Sequence, residues 1–191
     1  GVAGAIERPA VRFGFGERRK CRRRPGRGPQ RHGGGARIVH FPLEIEVSRP
    51  DYDTPVTTLL HLPGGSTAVL PDDLIEGWMG LRRFFHVTIT RRGGDVRFDK
   101  VVPFCPNTWS KTRVGPDGPS FPEYPDYCGW NPFTLGMIYG IEQDWGANIA
   151  DGMWSSSYMR LREGRYRYEV RITQRYQDLL GLDPADATAQ T

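Results

Sequence analysis

Any chemistry in this 191-residue chain rests on three cysteines, four histidines and a group of carboxylates and aromatic residues beyond position 100. Cys105 and Cys128 flank a Pro-rich stretch, and three roles are open to them. As a disulfide they close a loop whose chain-entropy contribution is on the order of 3 kcal/mol. As metal ligands they lack a CxxC partner and a neighbouring histidine. A reactive Cys–His pair with His86 lacks an orienting motif beside it. The disulfide is the favoured reading; it implies an oxidising compartment and leaves Cys21 unpaired. Among His32, His40, His61 and His86 no two stand at i, i+2 or i, i+4, the local pairs from which zinc and copper sites commonly draw ligands. His61 and His86 are the metal candidates, against a plainer reading as strand residues. Glu142, Asp144 and Asp151, with Asn148, suggest a calcium loop or a glycosidase pair, but no specific spacing supports either, and a solvated loop is the simpler account. Trp130, Tyr139, Trp145, Trp154 and Tyr158 could line a sugar- or peptide-binding platform, because flat aromatic faces stack on such ligands. Alternatively they cap the end of a small core.

The stretch Cys105 to Trp145 holds three of the five tryptophans and too many prolines to form one long helix or strand. Its aromatic content favours an ordered loop. Charge divides the chain. Residues 1–37 carry a net +9 and residues 38–191 a net −5, so the formal +4 belongs to the amino-terminal segment. That segment is rich in Arg, Gly and Pro without apolar periodicity, and is expected to be a disordered tail or leader. Its functional alternative is an arginine-rich arm for RNA or a membrane surface. An acidic body argues against a nucleic-acid surface built into the fold. No apolar run approaches the roughly 18–20 residues of a membrane span. The chain shows no initiator Met and no apolar signal region, as expected of a processed chain or a fragment, and a truncation at the carboxyl end is expected as well.

The elements that must position these residues read as short strands. Leu43, Ile45 and Val47 alternate with Glu44 and Glu46, the period of a half-buried strand. Val56 to Leu62 and Thr67 to Leu70 follow, punctuated by Pro63-Gly64-Gly65 and Pro71. Pro71 to Glu76 is expected to start a helical turn. Leu81 to Thr90 and Val96 to Phe104 form a hairpin around Gly93-Gly94. Phe133 to Gln143 is apolar on both faces, as in a buried strand or short helix, and Asp144 to Ser157 reads as loop. Tyr158 to Leu161 precedes a turn, and Tyr166 to Ile172 is the cleanest amphipathic strand. Gln174 to Leu180 is expected to be a helix closed by Gly181, with a last strand beginning at Ala187. This pattern predicts an all-β fold, an antiparallel β-sandwich over residues 38–191 with a disulfide-tethered loop.

YGIEQDWGANI followed by LREGRYRYEVRITQRY resembles the carboxyl-terminal segment of the lysyl oxidase-like domain. GLRRFFHVTITRRGGDVRFDKVVPFCPN is similar to the hairpin leading to an F-C element in secreted, β-rich bacterial proteins of the actinobacterial type associated with it. The resemblance implies a secreted sandwich with a tethered loop. Where lysyl oxidases carry a copper-binding histidine cluster, this chain has only His86, so the copper site and its catalytic residues do not carry over. The leading expectation is a non-catalytic, secreted or cell-surface domain with a structural or ligand-binding role toward an extracellular protein or glycan, and without a cofactor. The alternatives are a copper-dependent lysyl or amine oxidase whose isolated histidines converge, and an RNA-associated protein acting through the basic tail.

Overall fold

A computed structural model describes residues 12–15, 36–62, 65–75, 78–129, 133–149 and 164–190. In chain order the strands are β1 (Arg12–Phe15), β2 (Ala36–His40), β3 (Leu43–Ser48), β4 (Thr57–His61), β5 (Thr67–Leu70), β6 (Leu81–Arg91), β7 (Val96–Phe104), β8 (Thr112–Arg113), β9 (Gly136–Ile141), β10 (Trp145–Asn148), β11 (Tyr166–Ile172) and β12 (Thr188–Gln190). A 3-10 turn, Asp72–Leu74, precedes β6, and one helix, α1 (Gln174–Leu180), lies between β11 and β12. The strands form three antiparallel sheets ordered β1-β2-β10-β8, β12-β11-β6-β7 and β5-β4-β3-β9. Mostly strand and antiparallel throughout, the fold is all-β.

Period-2 patterning places the core. Leu43, Ile45 and Val47 are buried while Glu44 and Glu46 on the alternate side stay partly open. Val87 and Ile89 of β6 and Val170 and Ile172 of β11 do the same in the second sheet. With Val39 and Ala147 of the sheet that holds β2 and β10, they share one apolar cluster.

The alternation breaks at one informative place. The β6–β7 register shifts between Leu81 and Phe85, and Arg83 takes φ 56°. A bulge of this kind re-aims side chains, and here it turns Phe84 and Phe85 both inward. Phe84 then sits among Phe41, Phe85, Phe104 and Tyr176, with ring centroids 6.4, 4.8, 5.0 and 4.5 Å away. The bulge also frees three successive carbonyls. Arg82 O accepts from the Tyr176 hydroxyl (2.7 Å), Arg83 O from the Thr173 hydroxyl (3.0 Å) and Phe84 O from the Thr173 N–H (2.9 Å). The start of α1 therefore hangs on β6. Its end is closed by Gly181, whose φ of 62° suits a residue without a Cβ.

Two expectations differ from the structure. Asp144 to Ser157 is not all loop, because Trp145–Asn148 pairs with β2 on one side and β8 on the other. Within the segment expected to be unstructured, Arg12–Phe15 pairs antiparallel with β2, which itself begins at Ala36. The 133–143 ambiguity resolves to strand β9, and no helix among the described residues is long and apolar enough to cross a membrane. Cys21, His32 and the strand expected at Tyr158 to Leu161 lie outside the described residues.

Phe84→Ala is expected to lower the unfolding free energy by about 3–5 kcal/mol, as truncation of a buried aromatic does. Val69→Ala, at a side chain 75% exposed on β5, should change it by less than about 0.5 kcal/mol. Tyr139→Phe removes a buried hydroxyl that lies beside the Gly80 backbone without a hydrogen bond of good geometry, and should leave stability unchanged or raise it. Denaturant titration of the three variants checks this ranking, and equal losses for Phe84→Ala and Val69→Ala would show that the ring cluster does not centre the core.

Candidate functional site

The chain between Cys105 and Trp145 contains little regular structure, so its backbone polar groups need partners other than a ladder. A tight turn between β9 and β10 supplies many of them. The Trp145 N–H closes that turn on Glu142 O at 3.1 Å, and Asp144 adopts φ 60°, a left-handed conformation that Asp tolerates better than most residues. The Glu142 carboxylate accepts the N–H groups of Glu123 (2.7 Å) and Tyr124 (2.8 Å). Asp144 Oδ2 accepts those of Asp117 (2.7 Å) and Gly118 (3.0 Å), and the Trp145 indole donates to Pro119 O at 2.9 Å. Gly118 is a steric necessity, because a Cβ there would lie 1.8 Å from Gln143 O.

Lys111 completes the grip. Its Nζ lies 3.1 and 3.3 Å from the two Glu142 oxygens and 3.3 Å from Tyr124 O, and the two side chains are only 4% and 3% exposed. Burial works to raise the Glu142 pKa but is outweighed by the Tyr124 N–H and the Lys111 ammonium, which hold the carboxyl below the ordinary carboxylate range. The Tyr124 ring lies against the same ammonium, fills the space above Gly140, and donates its hydroxyl to Glu44 at 2.6 Å. Burial first, and then the carboxylates of Glu44, Glu142 and Glu123, push the Tyr124 phenol up, so it remains a protonated donor.

At the amino-terminal end of the loop, Asn107 substitutes for a strand. β9 is the last strand of its sheet, and the buried Asn107 amide donates to Ile138 O (2.7 Å) and accepts from Gly140 N–H (2.9 Å). This covers part of an open sheet edge. Cys105 and Cys128 are joined by a disulfide spanning 23 positions, and Ser110 receives the Asn148 amide of β10 at 2.9 Å. The loop is thereby fastened to two sheets. Against that restraint, Trp109, Phe121 and Tyr127 project from it at 78, 80 and 62% exposure.

The structure describes two of the five residues of the expected platform. Tyr139 is fully buried and Trp145 nearly so, with its indole engaged inside, so neither offers a face to a surface ligand. Trp130, Trp154 and Tyr158 lie outside the described residues. Glu142, expected in a solvated loop, is buried because its partners arrive from 18 to 31 positions away. His40, His61 and His86 belong to three different sheets. The His61 ring stands between Glu44 (3.6 Å) and Glu46 (3.2 Å), and His86 lies against Asp99 and Arg171. Among the described residues no three His, Cys, Asp or Glu side chains are grouped to hold a metal ion. Sequence reasoning missed Trp109, Phe121, Tyr127, Asn107 and Lys111. The one available signal was a lysine and an asparagine inside a Pro-rich loop.

Lys111→Met leaves the Glu142 charge buried without its cation and is expected to cost about 3–5 kcal/mol in denaturant unfolding. A loss within error would show that the loop does not depend on the pair. The Glu142 pKa is depressed in the folded chain, so its contribution is complete above the unfolded value, about 4.3, and is lost as pH falls through the folded value. The protection of the Glu123 and Tyr124 amides, corrected for intrinsic exchange, should therefore fall as the pH drops below that unfolded value, and Glu142→Gln should abolish that acid step.

No protein-family model, curated protein or solved structure matches the chain, so the reading of this site rests on its geometry.

Proposed function

We propose that this chain is a non-catalytic recognition domain of a secreted or cell-surface protein, and that its pinned loop presents Trp109, Phe121 and Tyr127 to an extracellular protein partner. One observation carries the reading: large aromatic side chains stand exposed on a segment that a disulfide, a buried ion pair and side-chain caps hold in one conformation. Trp and Tyr are the residue types that dominate interface energies, and a rigid loop loses little conformational entropy on binding. The disulfide fits an oxidising compartment, and three sheets around a common apolar cluster fit a sandwich of the immunoglobulin-like or lysyl oxidase-like kind. The bacterial, lysyl oxidase-like resemblance contributes to the fold reading only and brings no copper chemistry with it.

The test compares the native chain with a Trp109→Ala/Phe121→Ala variant of equal melting temperature. Both are cross-linked to extracellular proteins of the source cell and also applied to a carbohydrate array. A defined protein bound by the native chain and weakened roughly tenfold or more in the variant is the expected result. Binding that ignores the loop substitutions, or loop-dependent binding to glycans alone, would overturn the protein-partner reading. Stoichiometric copper with amine-dependent peroxide release would replace it with an oxidase.

A further inference from the structure

Where β11 leads into α1, a cleft of about 280 Å3 is lined by His86, Val101, Arg171, Thr173, Gln174 and Gln177. It lies apart from the loop. The His86 ring is held at both nitrogens, with Nε2 2.5 Å from Asp99 Oδ1 and Nδ1 3.1 Å from Arg171 Nη2. A guanidinium only donates, so Nδ1 accepts and the ring proton is on Nε2, directed to Asp99. This Asp99–His86–Arg171 chain orients the guanidinium. Among the described residues no carboxylate lies within ion-pair distance of Arg171, so a cation held in place on a concave surface lacks its counter-charge.

We propose that this cleft binds a small monocarboxylate on the guanidinium of Arg171. Around the cleft the Thr173 hydroxyl already bonds Arg83 O at 3.0 Å, and the Gln174 and Gln177 amides, which are neutral, each already spend one N–H, on Asp178 (2.9 Å) and Ile172 O (2.6 Å). An anionic group entering the cleft thus has one cationic donor to meet, and the planar fork of a guanidinium matches a carboxylate in two parallel hydrogen bonds. Asp99 stands one side chain away and cancels part of the positive charge, which favours a monoanion over a phosphate dianion. The volume is at the low end for ligand cavities and suits a small acid or a single acidic residue.

The full chain is titrated with sodium acetate, sodium lactate and inorganic phosphate at constant ionic strength, and followed by two-dimensional amide NMR. Saturable shifts at Arg171, Thr173 and Gln174 with the carboxylates are expected, weakened roughly tenfold in Arg171→Gln, the loss of a charge-assisted bidentate pair. Arg171→Lys, which keeps the charge and loses the fork, should bind more weakly than the native chain, and decides the matter if Arg171→Gln does not fold. The Trp109→Ala/Phe121→Ala variant should titrate like the native chain, which separates this site from the loop reading. Shifts that do not saturate, saturation by phosphate alone, or native affinity in the folded arginine variant would overturn the proposal.

Discussion

The buried pair of Lys111 and Glu142 is the constraint on which the loop between Cys105 and Trp145 depends. Removing an ammonium and a carboxylate from water costs several kcal/mol per ion, and their mutual attraction offsets this only when the remaining hydrogen-bonding capacity is filled. Here the carboxylate also takes two backbone N–H groups and the ammonium a backbone carbonyl and an aromatic face. Those backbone groups come from a loop without a ladder. One pair of charges therefore satisfies the backbone at residues 123 and 124 and fixes the path of the loop there. Remove either member and the other is left as an uncompensated charge under residues 123 and 124.

A second constraint acts at the bulge in β6 through backbone geometry. The bulge in β6 exposes the carbonyls of Arg82, Arg83 and Phe84 to the Thr173–Tyr176 segment while turning Phe84 into the ring cluster. Ring packing and hydrogen bonding thus reinforce one another at a single irregularity. The cleft beside Arg171 follows from this. The helix can rest only where those carbonyls receive it, and that position leaves a gap over His86 and Val101.

Much of the fold was legible because strand periodicity is local. Leu43 to Val47, the Leu81–Phe104 hairpin and Tyr166 to Ile172 announce their buried faces by alternation, and Gly181 marks the helix end through its own backbone conformation. The disulfide was legible from the absence of any other chemistry around Cys105 and Cys128. β10 was not, because Trp145-Gly146-Ala147-Asn148 is four residues long and owes its strand to β2 and β8 rather than to propensity. The burial of Tyr139 and Trp145, two of the five aromatic residues expected to line a platform, was not legible for the same reason. Whether a tryptophan in a Gly- and Pro-rich stretch points in or out is decided by partners distant in sequence, as Pro119 decides it for Trp145. Nothing near Trp109 or Phe121 in the sequence distinguishes them from it.

The loop's restraints also bear on the recognition role proposed for it. A flexible loop would lose conformational entropy when it met a partner, roughly 1–2 kcal/mol for each backbone residue fixed. In this chain that ordering is completed during folding by Glu142, Asp144, Trp145, Asn107 and the disulfide. The exposed rings of Trp109, Phe121 and Tyr127 therefore stand on a backbone already in place, as the proposed role requires. Under the proposed role, shape selectivity follows from the same fact: remodelling the loop around a poor fit would break the buried Lys111–Glu142 pair, so mismatched partners would lose contact area instead.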